Sequence, residues 1–430
     1  MKLTQNCMLL MDFFIKNNFI NHHENENNKK IILIFHTLYN DIYNSYKKLL
    51  IFKKTNIYEP LVKKINNINQ ISKPKFFNND SFPDVIRKHI DKHSTYEITY
   101  IFSLMNRNIK VHFIIENNKS ELKLDLYNKY LEWIIIWLFI LNDYSSQLCS
   151  KNLVIYFYFT SLKKSFPNNN IDILDQHNVN TAFTSSCSLD SEIIIFRKEE
   201  WFKVFIHETF HSFGLDFSDM NNVECHSKIL SIFKVKSDVN LYESYTEYWA
   251  EIMNCLFCSF FLLKDKDKEN FNEFFKTSEY LINLEKTHSF FQLVKVLKFM
   301  GLTYQDLYSN KKESIVLRNN LYKEKTNVLA YYVIKMILLN HYPEFLSWCS
   351  KHNISLLAFK KTIKNQMDFC SFIEKFYKSN SMLNGISITT DFLNNVHHSE
   401  NISKNINKKK NNKEFNYLMN NLRMTLCEMG

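Results

Sequence analysis

Glycine and proline are scarce in this chain of 430 residues, which contains only 4 glycines and 5 prolines. Glycine is the residue that adopts positive φ most readily in tight turns, and proline pre-sets the first position of many turns. Their scarcity argues against a many-stranded sandwich, because such a fold needs many tight turns. Since hydrophobic residues make up 45% and aromatic residues 15% of the chain, it can bury a sizeable core. The composition favours long helices.

Long apolar runs and regularly spaced cysteines are also absent. The apolar run Trp133–Leu141 is well short of the roughly 20 residues that span a bilayer, and Asp12 interrupts the apolar start of the chain, unlike in a secretory signal. The nine cysteines show no framework spacing; Cys255 and Cys258 lie in an apolar helical run and are interpreted as small buried hydrophobic residues. These absences predict a soluble, intracellular, cytoplasmic protein with reduced thiols and no membrane span.

The net charge of +10 raises the question of a nucleic-acid partner. Lysine is abundant together with asparagine, isoleucine and phenylalanine, whose codons are all rich in A and T, so base composition accounts for much of the excess. The one compact basic run, Lys408–Lys410, lies in an Asn-rich stretch, and no recognised nucleic-acid-binding motif accompanies it. Nucleic acid is therefore not the predicted partner, and the sequence does not indicate an oligomeric state.

Hydrophobic periodicity predicts an α+β protein with a small mixed sheet and a large helical C-terminal lobe. The strongest strand patterns are a hairpin of Glu97–Leu104 with Ile109–Ile115, a central strand Leu153–Thr160 and a further strand Glu192–Phe196. Five regions are predicted: a mainly helical region 1–90, a sheet region 91–235, a helical lobe 236–395, a Lys/Asn-rich linker 396–414 and a C-terminal helix 415–430. In the last of these, Phe415, Leu418, Leu422 and Leu426 would form the docking face.

The segment Glu199–Gly214 (EEWFKVFIHETFHSFG) contains the pattern H-E-x-x-H. On a helix, His207 and His211 are neighbours one turn apart, so both imidazoles can reach one metal ion, while Glu208 can meet a metal-bound water. An apolar stripe on the same helix would bury it, and Gly214 stands where a helix often ends in a left-handed residue. The pattern predicts one Zn²⁺ ion per chain, bound through His207 and His211, with Glu208 as the general base.

Zinc needs a third protein ligand, and the helix predicted for 241–263 offers acidic candidates. Glu243, Glu247 and Glu251 follow one another at intervals of four residues and share one face. No Lys, Arg or His occurs between Lys236 and Lys264, so the sequence shows no local cation to compensate them. A zinc ion with its histidines is a suitable cation, and an exposed acidic stripe is the alternative.

HETFH followed downstream by EYWAE resembles the gluzincin branch of HExxH zinc metallopeptidases, and the second segment is similar to the ligand helix of the anthrax lethal factor protease. The resemblance covers roughly 192–253 and implies a zincin-like fold. It also implies Glu247 as third ligand and Glu251 as the acid that orients a zinc-bound histidine, with Glu243 as the alternative ligand. The layout YFYFT…HETFHSFGLDFS further resembles an uncharacterised metallopeptidase-like family of giant DNA viruses, which implies a viral protein in the host cytoplasm or the virion.

The segment departs from the metzincin pattern, which also begins HExxHxxG. Metzincins place a His, or rarely an Asp, three residues beyond the glycine, and Phe217 occupies that position with Asp216 one short. His226 is interpreted as a solvated histidine in a polar helix. Tyr245, Tyr331 and Tyr332 are candidates for the donor that steadies a developing oxyanion, and the sequence does not rank them.

These features predict a zinc-dependent endopeptidase that hydrolyses a protein or peptide substrate. The substrate would lie extended along an edge strand, as peptides do when they add to a sheet. The residues predicted to form that strand are Glu192, Ile193, Ile194, Ile195 and Phe196. The alternative is a zincin scaffold without hydrolytic activity that acts as a binding or structural protein, with its basic tail in contact with nucleic acid. The presence of Glu208 favours the enzyme.

Overall fold

The structure is a computed structural model, and it describes residues 2–17, 19, 29–55, 59–77, 79–116, 122–403 and 410–430. The strands are β1 Leu61–Lys64, β2 Tyr96–Leu104, β3 Arg107–Ile115, β4 Asn152–Phe159, β5 Ala182–Thr184 and β6 Asp190–Ile195. The helices before the last third of the chain are α1 Gln5–Lys16, α2 Lys29–Thr55, α3 Asp84–His93, α4 Leu124–Tyr144, α5 Gln176–Val179, α6 Trp201–Ser212, α7 Val223–Ile232 and α8 Leu241–Leu262. They are followed by α9 Phe271–Phe299, α10 Lys312–Leu321, the π-helical turn Leu329–Ile334, α11 Lys335–Asn340, α12 Tyr342–His352, α13 Ile363–Phe376, α14 Asn380–Ser403 and α15 Lys410–Asn420. Within these ranges, none of the helices combines the length and apolarity needed to cross a bilayer.

The six strands form one open mixed sheet in the order β1-β2-β3-β4-β6-β5. The predicted hairpin is confirmed as β2 and β3, which turn at Met105 and Asn106, both with positive φ. β3, β4 and β6 run parallel, so the prediction that Leu153–Thr160 is central is also confirmed. The α+β class is thus as the periodicity predicts.

The prediction that Glu192–Phe196 forms an edge strand is wrong. β6 pairs in parallel with β4 on one side and antiparallel with β5 on the other. β5 has only three residues, Ala182–Thr184, in a polar loop, which is too short to show an alternating pattern in the sequence. Among the described strands, β5 is the one that borders this side of the sheet.

Both faces of the sheet are covered around β4 and β6. Alternate residues of β6 point to opposite faces, so Ile193 and Ile195 join the large core that includes α4 and α6, while Ile194 joins a smaller core beneath α3. Burial on both faces explains why β4 and β6 read as nearly continuous apolar runs. The sheet therefore supports α6, which carries the H-E-x-x-H pattern, from one side.

Several helix predictions need correction. Apolar spacing in the helical lobe predicts two separate helices, at 269–284 and 288–300. They are one continuous helix, α9, because no residue between them breaks the spacing. The same spacing predicts a helix over 354–377 and none over 342–352. In the structure, 354–377 is helical only from Ile363, in α13, and α12 covers 342–352. The predicted C-terminal helix ends at Asn420, so Leu422 and Leu426 lie beyond it. Part of the predicted linker, 404–409, lies outside the described residues.

The segment 421–430, which is neither helix nor strand, runs through the protein core. Its residues 421–427 are all buried, and the carboxylates of two buried glutamates accept hydrogen bonds from its backbone. Glu200 accepts from the N–H groups of Met424 and Thr425 at 2.7 and 2.6 Å, and Glu285 accepts from those of Leu426 and Cys427. Buried backbone between the two single bridges at Asn421 and Met429 needs such acceptors. Side chains from α9 and from the start of α6 therefore replace a strand as its partner.

We expect Glu285→Ala to lower the free energy of unfolding by about 3 kcal/mol or more, because it strips the buried N–H groups of Leu426 and Cys427 of their acceptor. Urea unfolding measures the change. Glu313→Ala, at an exposed position in the first turn of α10, is the control and should stay within about 0.5 kcal/mol of the wild type. Equal losses in the two variants would show that the segment does not depend on Glu285.

Candidate metal centre

Helix α6 is buried along its whole length and fixed at several points. Thr209 lies midway between the two histidines. Its hydroxyl accepts a hydrogen bond from the indole N–H of Trp137 on α4 at 2.7 Å, which anchors this part of the helix to the core. At the C-terminus, Gly214 has φ +68°, as predicted for the position after the helix. Its N–H donates to the carbonyl of His211, and the N–H of Leu215 donates to that of Phe210. This pair of bonds is the Schellman motif, which ends the helix directly after His211.

A disulfide bond between Cys149 and Cys187 lies against this end of α6. The prediction that all cysteines are reduced is therefore wrong for this pair, which is 38 residues apart and carries no motif spacing. The backbone N–H of Cys187 donates to the carbonyl of His211 at 3.1 Å. A Cβ built on Gly214 would lie 3.2 Å from the Cys187 Cβ and 3.3 Å from the Cys149 Sγ. The bond thus braces the turn that follows His211.

The ring nitrogens of His207 and His211 converge with one carboxylate. The two Nε2 atoms are 3.2 Å apart, and the Glu243 Oε2 lies 3.1 Å from the Nε2 of His207 and 3.6 Å from that of His211. Each of the three residues offers one ligand atom to a common point. All three side chains are largely buried.

The outer nitrogens of both imidazoles contact carboxylates. The Nδ1 of His207 lies 2.9 Å from the Glu247 Oε2, and the Nδ1 of His211 is hydrogen-bonded to Asp216. Because a carboxylate accepts, each Nδ1 carries a proton, and each Nε2 is the nitrogen that faces the inner side. Asp216 is itself held by the backbone N–H and hydroxyl of Ser218. Sequence reasoning weighed Asp216 only as a metzincin ligand and missed this role.

The predicted order of the three acids on α8 is wrong by one turn. Glu243, the alternative ligand, lies at the inner nitrogens, and Glu247 stands behind His207 where Glu251 was expected. Glu251 contacts no histidine and instead accepts from the Lys335 ammonium at 2.8 Å. Glutamates four residues apart are equivalent in helical periodicity, so the sequence could not separate them. The cations that neutralise two of them, Lys203 and Lys335, come from other helices.

The three inner atoms fit a zinc ion. Tetrahedral zinc takes nitrogen and oxygen ligands at about 2.0–2.1 Å, which sets neighbouring ligand atoms roughly 3.3 Å apart. The separations of 3.1, 3.2 and 3.6 Å are close to this value. Two neutral imidazoles and one carboxylate are also the donor types found in hydrolytic zinc sites, and the carboxylates on the outer nitrogens are typical of their surroundings.

Charge is concentrated at this point. Burial disfavours the charged form of His207, but hydrogen bonds to Glu243 and Glu247 outweigh it and raise its pKa. For His211, burial is likewise outweighed, by Asp216 and Glu243, and the pKa lies well above its usual range. Burial alone would raise the pKa of Glu243, yet the two histidines hold it well below the ordinary value. The carboxylates therefore favour a positive charge between the imidazoles. Protons or a metal ion can supply this charge, and the two compete for the same ring nitrogens.

Glu208 faces a cavity beside the converging atoms. The cavity has a volume of about 30 Å³, enough for one or two water molecules, and is also lined by His207, Thr181 and Tyr331. Within the described part of the chain, no side chain is hydrogen-bonded to the Glu208 carboxylate. Burial raises its pKa, against the opposing effect of the histidines. Glu208 is thus a carboxylate without a hydrogen-bond partner among the described residues, next to a cavity large enough for a water molecule.

The three candidate tyrosines differ in their contacts. Tyr331, in the π-helical turn, lines the cavity and donates from its hydroxyl to the Glu243 Oε2 at 3.0 Å. The hydroxyl of Tyr245 donates to the carbonyl of Leu357, and that of Tyr332 donates to the carbonyl of Leu422. The structure therefore brings Tyr331 to the site and leaves the other two in the core. The Nε2 of His226 lies 3.2 Å from the carbonyl of Ser237, outside the site.

A second group, Cys255, Glu285 and Cys427, also brings possible ligand atoms together. Both oxygens of Glu285 already accept hydrogen bonds from the segment 421–430, and burial raises the pKa of the Cys255 thiol to about 11, which disfavours the thiolate that binds metal. Cys255 and Cys258 are buried, with free thiols, so their interpretation as small hydrophobic residues is confirmed. This group does not fit a metal ion.

Comparison with known proteins found no matching family model, no matching curated protein and no matching solved structure.

We expect Gly214→Ala to destabilise the protein more than Gly301→Ala. Both glycines have positive φ, which costs an L-residue roughly 1–2 kcal/mol. A methyl group at Gly301 meets only the flexible end of Leu321, whereas at Gly214 it meets the disulfide, which adds about 1 kcal/mol or more. Urea unfolding of the two variants measures the difference. Identical losses would mean that the disulfide does not confine this turn.

Proposed function

We propose that the protein is a zinc-dependent endopeptidase with a zincin-like fold. The observation that carries the proposal is the convergence of the His207 Nε2, the His211 Nε2 and the Glu243 Oε2 beside a cavity faced by Glu208. It agrees with the gluzincin resemblance, in which a second helix supplies a glutamate ligand. The ligand lies one turn earlier than the resemblance implies.

Each residue of the site would have its own role in the reaction. His207, His211 and Glu243 would hold the metal, and Glu247 and Asp216 would orient the two imidazoles. Zinc bound at such a site lowers the pKa of a water molecule and polarises the carbonyl of the substrate. Glu208 has the position and the raised pKa of a proton acceptor that later returns the proton to the leaving amine.

Tyr331 is the candidate donor to the developing oxyanion. Its hydroxyl lies at the edge of the cavity, 3.0 Å from the Glu243 carboxylate. To stabilise an oxyanion, the hydroxyl would exchange its hydrogen bond to Glu243 for one to the substrate oxygen. Burial raises the pKa of Tyr331 well above its usual range, so the hydroxyl keeps its proton at neutral pH.

An extended peptide would lie along β5 instead of β6. Thr181 and Ala182, at the start of this edge strand, line the same cavity as His207 and Glu208. The hydroxyl of Thr181 is buried and has no hydrogen-bond partner among the described residues. Asn180 lines both this cavity and a larger one of about 450 Å³, whose other lining residues are mostly polar. If a peptide paired with β5, the peptide side chains next to the cleaved bond would lie near the larger cavity.

The first test measures zinc. The purified protein should hold about one zinc ion per chain, and His207→Ala or His211→Ala should abolish binding, with His226→Ala as the control. Glu243→Gln should cost most of the zinc affinity, because it replaces a charged ligand atom, whereas Glu251→Gln should leave the affinity within about threefold of the wild type. Chelator competition gives the affinities. Loss of zinc from Glu251→Gln with retention in Glu243→Gln would restore the order implied by the resemblance and refute the one proposed here.

The second test separates an enzyme from a binding scaffold. Glu208→Gln keeps the shape of the side chain and removes the base, so the variant should keep its zinc and fold yet lose peptide hydrolysis by several orders of magnitude. Cleavage of a denatured protein mixture, followed by mass spectrometry of the fragments, provides the assay, with Glu224→Gln at an exposed position as the control. Cleavage by Glu208→Gln at the wild-type rate would sink the mechanism, and wild-type protein that binds zinc without cleaving would favour the scaffold.

A further inference from the structure

Three lysine–glutamate pairs are buried in the core around the candidate metal centre. Lys164 pairs with Glu200 at 3.0 Å, Lys335 pairs with Glu251 at 2.8 Å, and Lys203 pairs with Glu247. All six side chains are at most 2% exposed. They share chemistry and burial, but only one of the three pairs reaches a histidine of the site.

That pair forms a line that ends on His207. Lys203 precedes His207 by one helical turn on α6, so both side chains face α8. Glu247 bridges them: its Oε1 contacts the Lys203 ammonium, and its Oε2 lies 2.9 Å from the His207 Nδ1. Among the described residues, the ammonium also contacts the Met424 sulfur at 4.0 Å, which is a weak acceptor. The charge of Lys203 is therefore directed at Glu247.

We propose that Lys203 is a positioning residue, which holds Glu247 so that His207 presents its Nε2 lone pair toward Glu243 and His211. The inference rests on the proposed function, because it concerns the way in which His207 binds metal. A buried carboxylate with only one partner is free to rotate or to take up a proton. With one oxygen fixed by the ammonium, the other is left to accept the Nδ1 proton, and the imidazole has one orientation.

Comparison with the two other lysine–glutamate pairs separates the positioning role of Lys203 from a contribution to stability alone. Lys164 lines the same cavity as Lys203, and Lys335 pairs with the neighbouring glutamate on α8, yet the carboxylate of neither pair contacts an imidazole. Removal of any of the three ammonium groups takes a partner from a buried glutamate, so each variant should lower the free energy of unfolding. A loss of metal affinity should be confined to Lys203.

The test compares Lys203→Met with the matched variants Lys164→Met and Lys335→Met. Zinc affinity is measured by chelator competition on folded full-length protein, with folding checked by circular dichroism. We expect Lys203→Met to weaken zinc binding about 10- to 100-fold and both controls to stay within about threefold of the wild type. Equal affinities in Lys203→Met and the wild type, or equal losses in all three variants, would overturn the role of Lys203. Wild-type protein that binds no zinc would overturn the proposed function together with this inference.

Charge-preserving and charge-removing variants cover the case in which Lys203→Met does not fold. Lys203→Arg keeps the positive charge and should bind zinc within about fivefold of the wild type. Lys203→Gln keeps a donor without the charge and should show most of the loss. The absorption spectrum of the Co²⁺-loaded protein provides a second readout, since a displaced imidazole changes the ligand field whereas a loss of stability alone does not. Identical affinities and spectra for the Arg and Gln variants would contradict the proposal.

Discussion

Three glutamates, one turn apart, are buried on the same helix, and the centre of the molecule is arranged around their negative charge. A buried carboxylate must find a cation or accept a proton, since burial without either is costly. Glu243 meets the two imidazoles of α6, Glu247 meets Lys203, and Glu251 meets Lys335. Each partner comes from another helix, so the charges determine how α6 and α11 pack on α8.

The three acids do not reach the same state. Burial raises the pKa of Glu251 to about 8, against the opposing effect of Lys335, whereas Lys203 and His207 hold that of Glu247 well below its usual range despite burial. The acid nearest the histidines is likewise held ionised. Negative charge on α8 is therefore concentrated at Glu243 and Glu247, the two glutamates that contact His207 and His211. The proposed chemistry needs a cation at this position.

Sequence reasoning found the elements whose pattern is local. The hairpin, the central strand β4 and the helix with His207, Glu208 and His211 follow from periodicity and spacing within one element. It failed where the deciding contact joins distant parts of the chain. Asp216, Lys203 and the Cys149–Cys187 bond carry no local pattern, and the three-residue β5 is too short to show one. The order of the glutamates was ambiguous for the same reason, because it depends on which cation each one meets.

The buried segment 421–430 has a consequence for synthesis on the ribosome. A nascent chain emerges from its N-terminus, so α6, α8 and α9 are complete well before this segment is available. Until it arrives, the carboxylates of Glu200 and Glu285 lack the backbone groups that they bind, and Leu3 lacks its bridge to Met429. The core around the histidines therefore closes only after residues 421–430 have been synthesised, later than the helices that carry the histidines and the glutamates.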